Sequence, residues 1–194
     1  MKNLLMIASF TAAAVIPSAA QAQAIPAAVV AVVDIDRVTN ECTACKTATA
    51  ALRSQVQTYQ SRESALATPL QAEQKSIQTA IDALNGKEPD AALKARVAAF
   101  QSKQQQGAQE LQRQQDQIKR NQQYVQKQIA DKLGPIYSQV LQKRGANMLL
   151  EQGATLATAQ SLDVTNDVLA ALNTAMPTIQ TVAPAAPATS TQGR

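Results

Sequence analysis

Apolar residues recur on a seven-residue beat through most of the chain. From Lys46 to Leu84 one set of positions holds Val56, Glu63, Leu70, Ile77 and Leu84, and a second holds Leu52, Tyr59, Leu66, Glu73 and Ala80. The stretch NGKEPD, residues 85–90, breaks the beat with turn chemistry: Asn-Gly permits positive φ, and Pro89 with Asp90 can start a helix. From Ala91 the beat resumes, with Leu93, Phe100, Gly107, Gln114, Asn121 and Gln128 in one set and Val97, Gln104, Leu111, Ile118 and Val125 in the other. Repeats of this kind mark a coiled-coil seam. In an antiparallel pair, facing residues have numbers of constant sum. A sum of 177 sets Leu52 against Val125, Tyr59 against Ile118, Leu66 against Leu111 and Leu70 against Gly107, and it sets Glu63 against Gln114 and Glu73 against Gln104. The pattern predicts one α-helical hairpin over residues 46–133, with a first arm of about 60 Å at 1.5 Å per residue.

The flanks read differently. Ala28 to Ile35 (AVVAVVDI) is a β-branched run with the length of a buried strand, and Asn40 or Thr43 can cap the helix that follows. Asn147–Glu151 and Thr155–Gln160 read as two further strands around Gly153. Leu162-Asp163-Val164-Thr165 opens a short helix to about Met176, with Asp163 or Thr165 as its cap. The fold class is α+β, mostly α: a long antiparallel coiled-coil hairpin projecting from a small β-strand body, residues 25–45 plus 134–178. Three strands and one short helix are too few to bury a stable core alone, so the body is expected to complete its sheet by oligomerisation. Gly134-Pro135 marks where the second helix leaves its hairpin partner, because the apolar track shifts there to Ile129, Leu133, Ile136 and Val140. Pro69 lies inside the first arm, where it removes a hydrogen bond and bends the helix. Its facing region holds Gly107, and the two form a candidate hinge, with a static bend as the other reading. Residues 179–194 are Pro, Ala, Thr and Ser with almost no charge, a composition expected to be disordered.

Residues 1–24 have the three parts of a secretory signal peptide. Lys2 supplies the positive start, Leu4 to Ile16 the apolar run, and Ala20-Gln21-Ala22 or Ala22-Gln23-Ala24 the small-x-small cleavage pattern. The apolar run is short of the roughly 20 residues needed to span a bilayer. The remainder is expected to be exported to a bacterial periplasm.

Composition narrows the chemistry. The 194 residues include 38 Ala and 27 Gln, good helix formers but poor core fillers. Without a single His, catalysis by Ser-His-Asp or Cys-His and His-ligated metal are excluded. With 3% aromatic residues there is little to stack on bases, so no nucleic-acid partner is expected. Charge is unevenly placed. Residues 46–144 carry fifteen Lys/Arg and eight Asp/Glu, a net of +7, while residues 25–45 and 145–194 together carry two and six, a net of −4. A basic arm without aromatics suits acidic chains or an anionic membrane surface through screened, sequence-blind attraction. Lys103, Arg113, Lys119, Arg120 and Lys127 are the candidate contacts for such partners.

Cys42-Thr43-Ala44-Cys45 is the only motif with reactive potential. Lys46 stands where a c-type haem site needs His, and two sulfurs alone do not complete a zinc site. The expectation for an exported chain is a local disulfide between Cys42 and Cys45; bridges between subunits, free thiols and a redox pair are the other readings. Asp34 and Asp36 share one face of the expected strand, a spacing that fits a strand end near solvent better than an acid/base pair. No catalytic constellation emerges, and no cofactor is expected.

VAVVDIDRV near the start, the Gln-rich hairpin, and NMLLEQGATLATAQSLDVTNDVLAALN together resemble the Skp/OmpH family of periplasmic chaperones over about residues 28–176. The terminal block is the most specific part. The resemblance implies a homotrimer whose body is built from the terminal strands of three subunits. It further implies three helical tentacles around a cavity that holds unfolded outer-membrane proteins without ATP. The CxxC, Pro69 and the Pro/Ala tail depart from the family pattern. The alternative, from another class, is a structural coiled-coil adaptor of the cell envelope.

Overall fold

The computed structural model of the chain describes residues 25–185. The expected leader, 1–24, and the end of the tail, 186–194, lie outside the described residues. The element order is β1 (Val30–Val33), α1 (Ile35–Glu41), α2 (Thr43–Asp82), α3 (Ala91–Arg144), β2 (Met148–Glu151) and α4 (Thr165–Ala175), with short 3-10 turns at Gln152–Ala154 and Gln160–Leu162.

Helices α2 and α3 form the antiparallel hairpin. Asn85 (φ 48°) and Gly86 (φ 85°) take the positive φ that the Asn-Gly turn requires. The Asp90 carboxylate accepts a hydrogen bond from the Leu93 N–H at 2.7 Å and so caps α3. At the far end Gly145 adopts a left-handed conformation (φ 65°), and the Ala146 N–H reaches back to Leu141 O at 2.9 Å. Neither Pro69 nor Pro135 ends its helix: α2 runs 40 residues and α3 runs 54. The arm is thinly packed. A two-helix rod has one line of contact, so Leu52, Tyr59, Leu66, Leu111 and Ile118 are half-buried, while Ile77 and Val125 are covered.

Two expected facing layers are absent. Glu63 is exposed, and the Gln114 amide donates to Glu110 on its own helix. Glu73 accepts from Arg96 Nε at 2.6 Å and Nη2 at 3.1 Å instead of meeting Gln104. Longer side chains reach past the residue directly opposite and take the stronger, charged partner.

The body is built at the base. Strand β1 pairs in parallel with β2, Val30 opposite Met148 and Val33 opposite Glu151. On its other side β1 meets the chain at Asp163, with the Val164 N–H donating to Val32 O at 2.8 Å. The Asn147 amide extends the ladder, accepting from Val29 N–H and donating to Ala27 O, both at 2.8 Å. Val33, Val38, Ile136, Val140, Val168 and Leu172 join in one core. The second helix therefore changes partner near Gly134-Pro135, as its apolar phase indicates, while continuing as a single helix.

Three expectations need correction. The apolar run at residues 28–35 is a strand only over Val30–Val33, because the Asp34 carboxylate accepts from the Arg37 N–H at 2.8 Å and starts α1. Asp34 is thus a helix cap and Asp36 a first-turn acid, so they do not share a strand face. Thr155–Gln160 forms no strand: the segment pairs with no named strand among the described residues, and Leu156 stands fully in solvent. Residues 179–185 are not a loose tail, since they lie against the hairpin with their main chain hydrogen-bonded as far as Ala183.

Candidate functional site: the amide-lined face of the hairpin

The most organised polar cluster lies on the lower third of the arm. Gln117, Asn121 and Gln128 follow one another on α3 at spacings of four and seven, which puts them on one face. Gln55 approaches from α2. The Gln117 side-chain N–H donates to Asn121 Oδ1 at 2.7 Å, and Asn121 Nδ2 donates across the seam to Gln55 Oε1 at 2.8 Å. Asn121 is 3% exposed, so this is a buried amide with each polar atom partnered. Arg120 donates to Gln117 Oε1 and orients the start of the relay.

The relay ends on the chain's own tail. Gln55 Nε2 donates to Thr181 O at 3.1 Å. Gln128 takes both main-chain groups of Gln180, donating to its carbonyl at 2.8 Å and accepting from its N–H at 3.0 Å. The Ala183 N–H donates to Asn121 Oδ1 at 2.8 Å. Along the tail Ile179, Thr181 and Ala183 are half-buried while Gln180 and Val182, the latter at a bend, are exposed. The small side chains Ala44, Ala48 and Ala51 on α2 form the floor beneath residues 177–181. Beyond the docked segment the groove continues outward as a space of about 590 Å³ bordered by Tyr59, Arg62, Glu110, Ile118 and Val182. Neutral amides beside a shallow floor of small side chains are suited to binding main chain.

The expected site residues scatter. Cys42 and Cys45 are joined in a disulfide with Cα atoms 5.1 Å apart, buried at the base of α2. The Cys42 sulfur also accepts from the Cys45 N–H at 3.2 Å, so it occupies the N-cap position between the two expected caps, Asn40 and Thr43. Pro69 and Gly107 line one groove, and Gly107 packs against Leu66. Lys103 borders that same groove near Glu73. The Arg96 guanidinium, hydrogen-bonded to Glu73, holds that carboxyl below its ordinary range. Arg113, Arg120 and Lys127 fall at intervals of seven on one stripe of α3, but Lys119 and Lys103 point elsewhere around the helix. Lys127 is paired with Asp131 at 2.7 Å, and Arg120 is engaged with Gln117. The five cations therefore make no single patch. Sequence reasoning missed Gln55 and Gln117 as binding groups. Asn121 and Gln128 were visible as polar residues at seam positions, which was the available signal.

At the body, the Thr165 hydroxyl and the Thr165 N–H, the latter at 2.8 Å, donate to the Asp163 carboxylate and hold it below the ordinary carboxyl range. Thr165, fully buried, in turn accepts from the Asp34 N–H at 2.9 Å. This knot ties β1 to α4. A family model described as Outer membrane protein (OmpH-like) matches residues 29–172, which takes in the whole hairpin and the knot. The chain belongs to the OmpH-like family. A crystal structure of a candidate outer membrane chaperone (OmpH-like) from Caulobacter crescentus CB15 shares the fold of this OmpH-like chain. Its TM-score is 0.66 at 22% identity, over 81% of this chain and 90% of that one. No curated protein matches the OmpH-like chain. The family match stops before the docked tail, so the tail's contacts are a feature of this chain beyond the matched region. No helix among the described residues is long and apolar enough to cross a membrane.

Proposed function

We propose that this OmpH-like chain is an ATP-independent periplasmic holdase. In this reading a homotrimer shelters unfolded outer-membrane β-barrel proteins between its three arms and keeps them from aggregating. The observation that carries the reading is the pairing of a long, half-open arm with a body whose sheet stops at two strands. The free side of β2 presents Met148 and Leu150 to solvent, and Leu156 projects nearby in sequence with no partner. Exposed apolar residues beside an unpaired strand edge favour assembly with further copies. Three arms on such a body would enclose a space lined by Ala, Gln and scattered Lys/Arg, a surface suited to many weak contacts. Excess basic charge on the arms draws acidic unfolded chains, and anionic membrane surface, toward them.

The test is dilution of a denatured outer-membrane barrel protein into buffer with and without the chain, followed by light scattering. Suppression with about three chains per client is the expected result; unchanged aggregation at excess chain refutes the reading. Leu150→Glu with Leu156→Glu tests the assembly. Both residues are exposed in the single chain, so the substitutions leave a monomer folded and split a trimer. A protein that stays trimeric with both changes, or is monomeric without them, overturns the assembly proposed here.

A further inference from the structure

Ile179 anchors the tail against the core, and every hydrogen bond the tail makes to the hairpin comes from its main chain. Its four hydrogen bonds to the hairpin all join side-chain amides of Gln55, Asn121 and Gln128 to backbone N–H or C=O groups of residues 180, 181 and 183. Those backbone groups are present in almost any polypeptide. The side chains contribute little selectivity: Gln180 and Val182 point outward, and Ile179 and Thr181 rest on an alanine floor. We propose that Gln55, Asn121 and Gln128 form a sequence-blind docking ladder for an extended stretch of unfolded polypeptide, and that residues 180–183 occupy it as a built-in competitor that an incoming chain displaces.

The proposal rests on the holdase reading and names the place where a client segment is held. Three observations carry it. The occupant seen alternates inward and outward residues from Ile179 to Ala183, with a bend at Val182, so it offers its main chain to the amides without forming a strand. The amides are pre-arranged, because Asn121 is locked between Gln117 and Gln55 before any chain arrives. The groove also continues past Ala183 toward Tyr59 and Ile118, so an incoming chain has a landing place beside the occupied rungs. Strand exchange can then proceed rung by rung, one backbone hydrogen bond replacing another at little net change in energy. The tail is tethered and refills the ladder whenever the client leaves, which keeps the amides partnered and lets the client go. All four bonds involve neutral groups, so this contact is insensitive to salt, unlike attraction to the basic arm.

The test uses the full chain and hydrogen exchange at the Gln180 and Ala183 amides, the two tail donors. Both are expected to be protected in the free protein and to lose protection when an unfolded outer-membrane barrel protein binds. Gln180→Pro with Ala183→Pro removes both donors and leaves the hairpin untouched, and both positions lie outside helix and strand, where proline is tolerated. Freed of its competitor, this variant should bind the barrel chain at least about threefold more tightly. Gln55→Ala with Gln128→Ala should expose the tail equally and bring no such gain, because the rungs themselves are gone. The proposal is overturned if the tail stays protected in the complex, if the proline pair leaves affinity unchanged, or if the alanine pair gains as much as the proline pair. Failure of the unvaried protein to hold barrel chains refutes the holdase reading alone. The same exchange measurement with a permanently unfolded soluble polypeptide then decides the ladder by the same criteria.

Discussion

Gly107→Ala should make this protein more stable, although Gly107 is buried. A Cβ built at Gly107 would lie 3.8 and 3.9 Å from the two Leu66 methyl carbons, with no closer neighbour outside its own helix turn. Those are ordinary contact distances, so no steric term opposes the change. Glycine in a helix interior costs about 0.8–1.0 kcal/mol relative to alanine. Burying one methyl contributes up to ~0.8 kcal/mol, and the half-open seam supplies about half of that. The net expectation is a gain of about 1–1.5 kcal/mol, or roughly 2–6 °C in Tm for a chain of this size. Urea titration followed by helical circular dichroism measures it directly: the midpoint should rise with an unchanged slope. A lower midpoint would refute the reasoning, because it would mean that the arms sit closer in solution than Leu66 and Gly107 do here. The same variant tests the hinge proposed for Pro69 and Gly107. If bending there admits clients, Gly107→Ala should slow client association while raising the midpoint. An unchanged association rate removes the hinge.

Further outcomes follow from the body and the charges. Reducing the Cys42–Cys45 disulfide should cost at most about 2 kcal/mol, since it closes so short a loop, and should leave client holding intact; a reduced protein that no longer suppresses aggregation contradicts this. Mass spectrometry of the oxidised chain should show the loss of two hydrogens and no covalent dimer. Asp163 is held below the ordinary carboxyl range by Thr165, so its contribution is present above that range and is lost as pH falls through the lowered value. Acid titrations below about pH 4 should therefore show a stability loss that Asp163→Asn diminishes; an identical acid limb in the variant refutes the assignment. Client association should slow as salt rises above about 0.1 M, and reversing Arg113 and Lys119, both exposed, should reproduce the effect at low salt. A rate insensitive to both perturbations removes electrostatic steering.

The hairpin was legible because its information is periodic and local. Leu52, Tyr59, Leu66 and Ile77 keep the heptad beat along α2, and Asp90 sits where a cap is needed, although Gly107 lies against Leu66 and not against the Leu70 that the constant sum assigns to it. The short helix α1 was not legible, since Val32, Val33, Ile35 and Val38 continue a β-branched run through it. One carboxylate, at Asp34, decides where extended backbone gives way to helix. Thr155–Gln160 failed for a different reason: a strand exists only with a partner edge, and an edge is not written in the segment itself. Pro135 shows the reverse case, in which packing of Leu133, Ile136 and Val140 on the body outweighs a missing hydrogen bond and carries the helix through. The candidate site was the least legible part. The tail's composition gives its own low tendency to order, while its order comes from Gln55, Asn121 and Gln128, more than fifty residues away from it in sequence. Amides that read only as helix formers and poor core fillers become main-chain partners once a second segment lies across them.

Helix α3 passes without a break from the tip of the arm into the core of the body, roughly 80 Å in all. It therefore works as a ruler. Because the body grips the stretch from Ile129 onward and the ladder ends near Gln117, the outer half of the arm can change length without disturbing either. Removing seven residues from each helix at matched positions draws the tip in by about 10 Å and, since seven residues fall about 20° short of two full turns, swings it slightly around the axis. Reach and heading are thus set by the same count. Arms longer or shorter by whole heptads would resize the space that the proposed trimer encloses while leaving the body at the base unchanged.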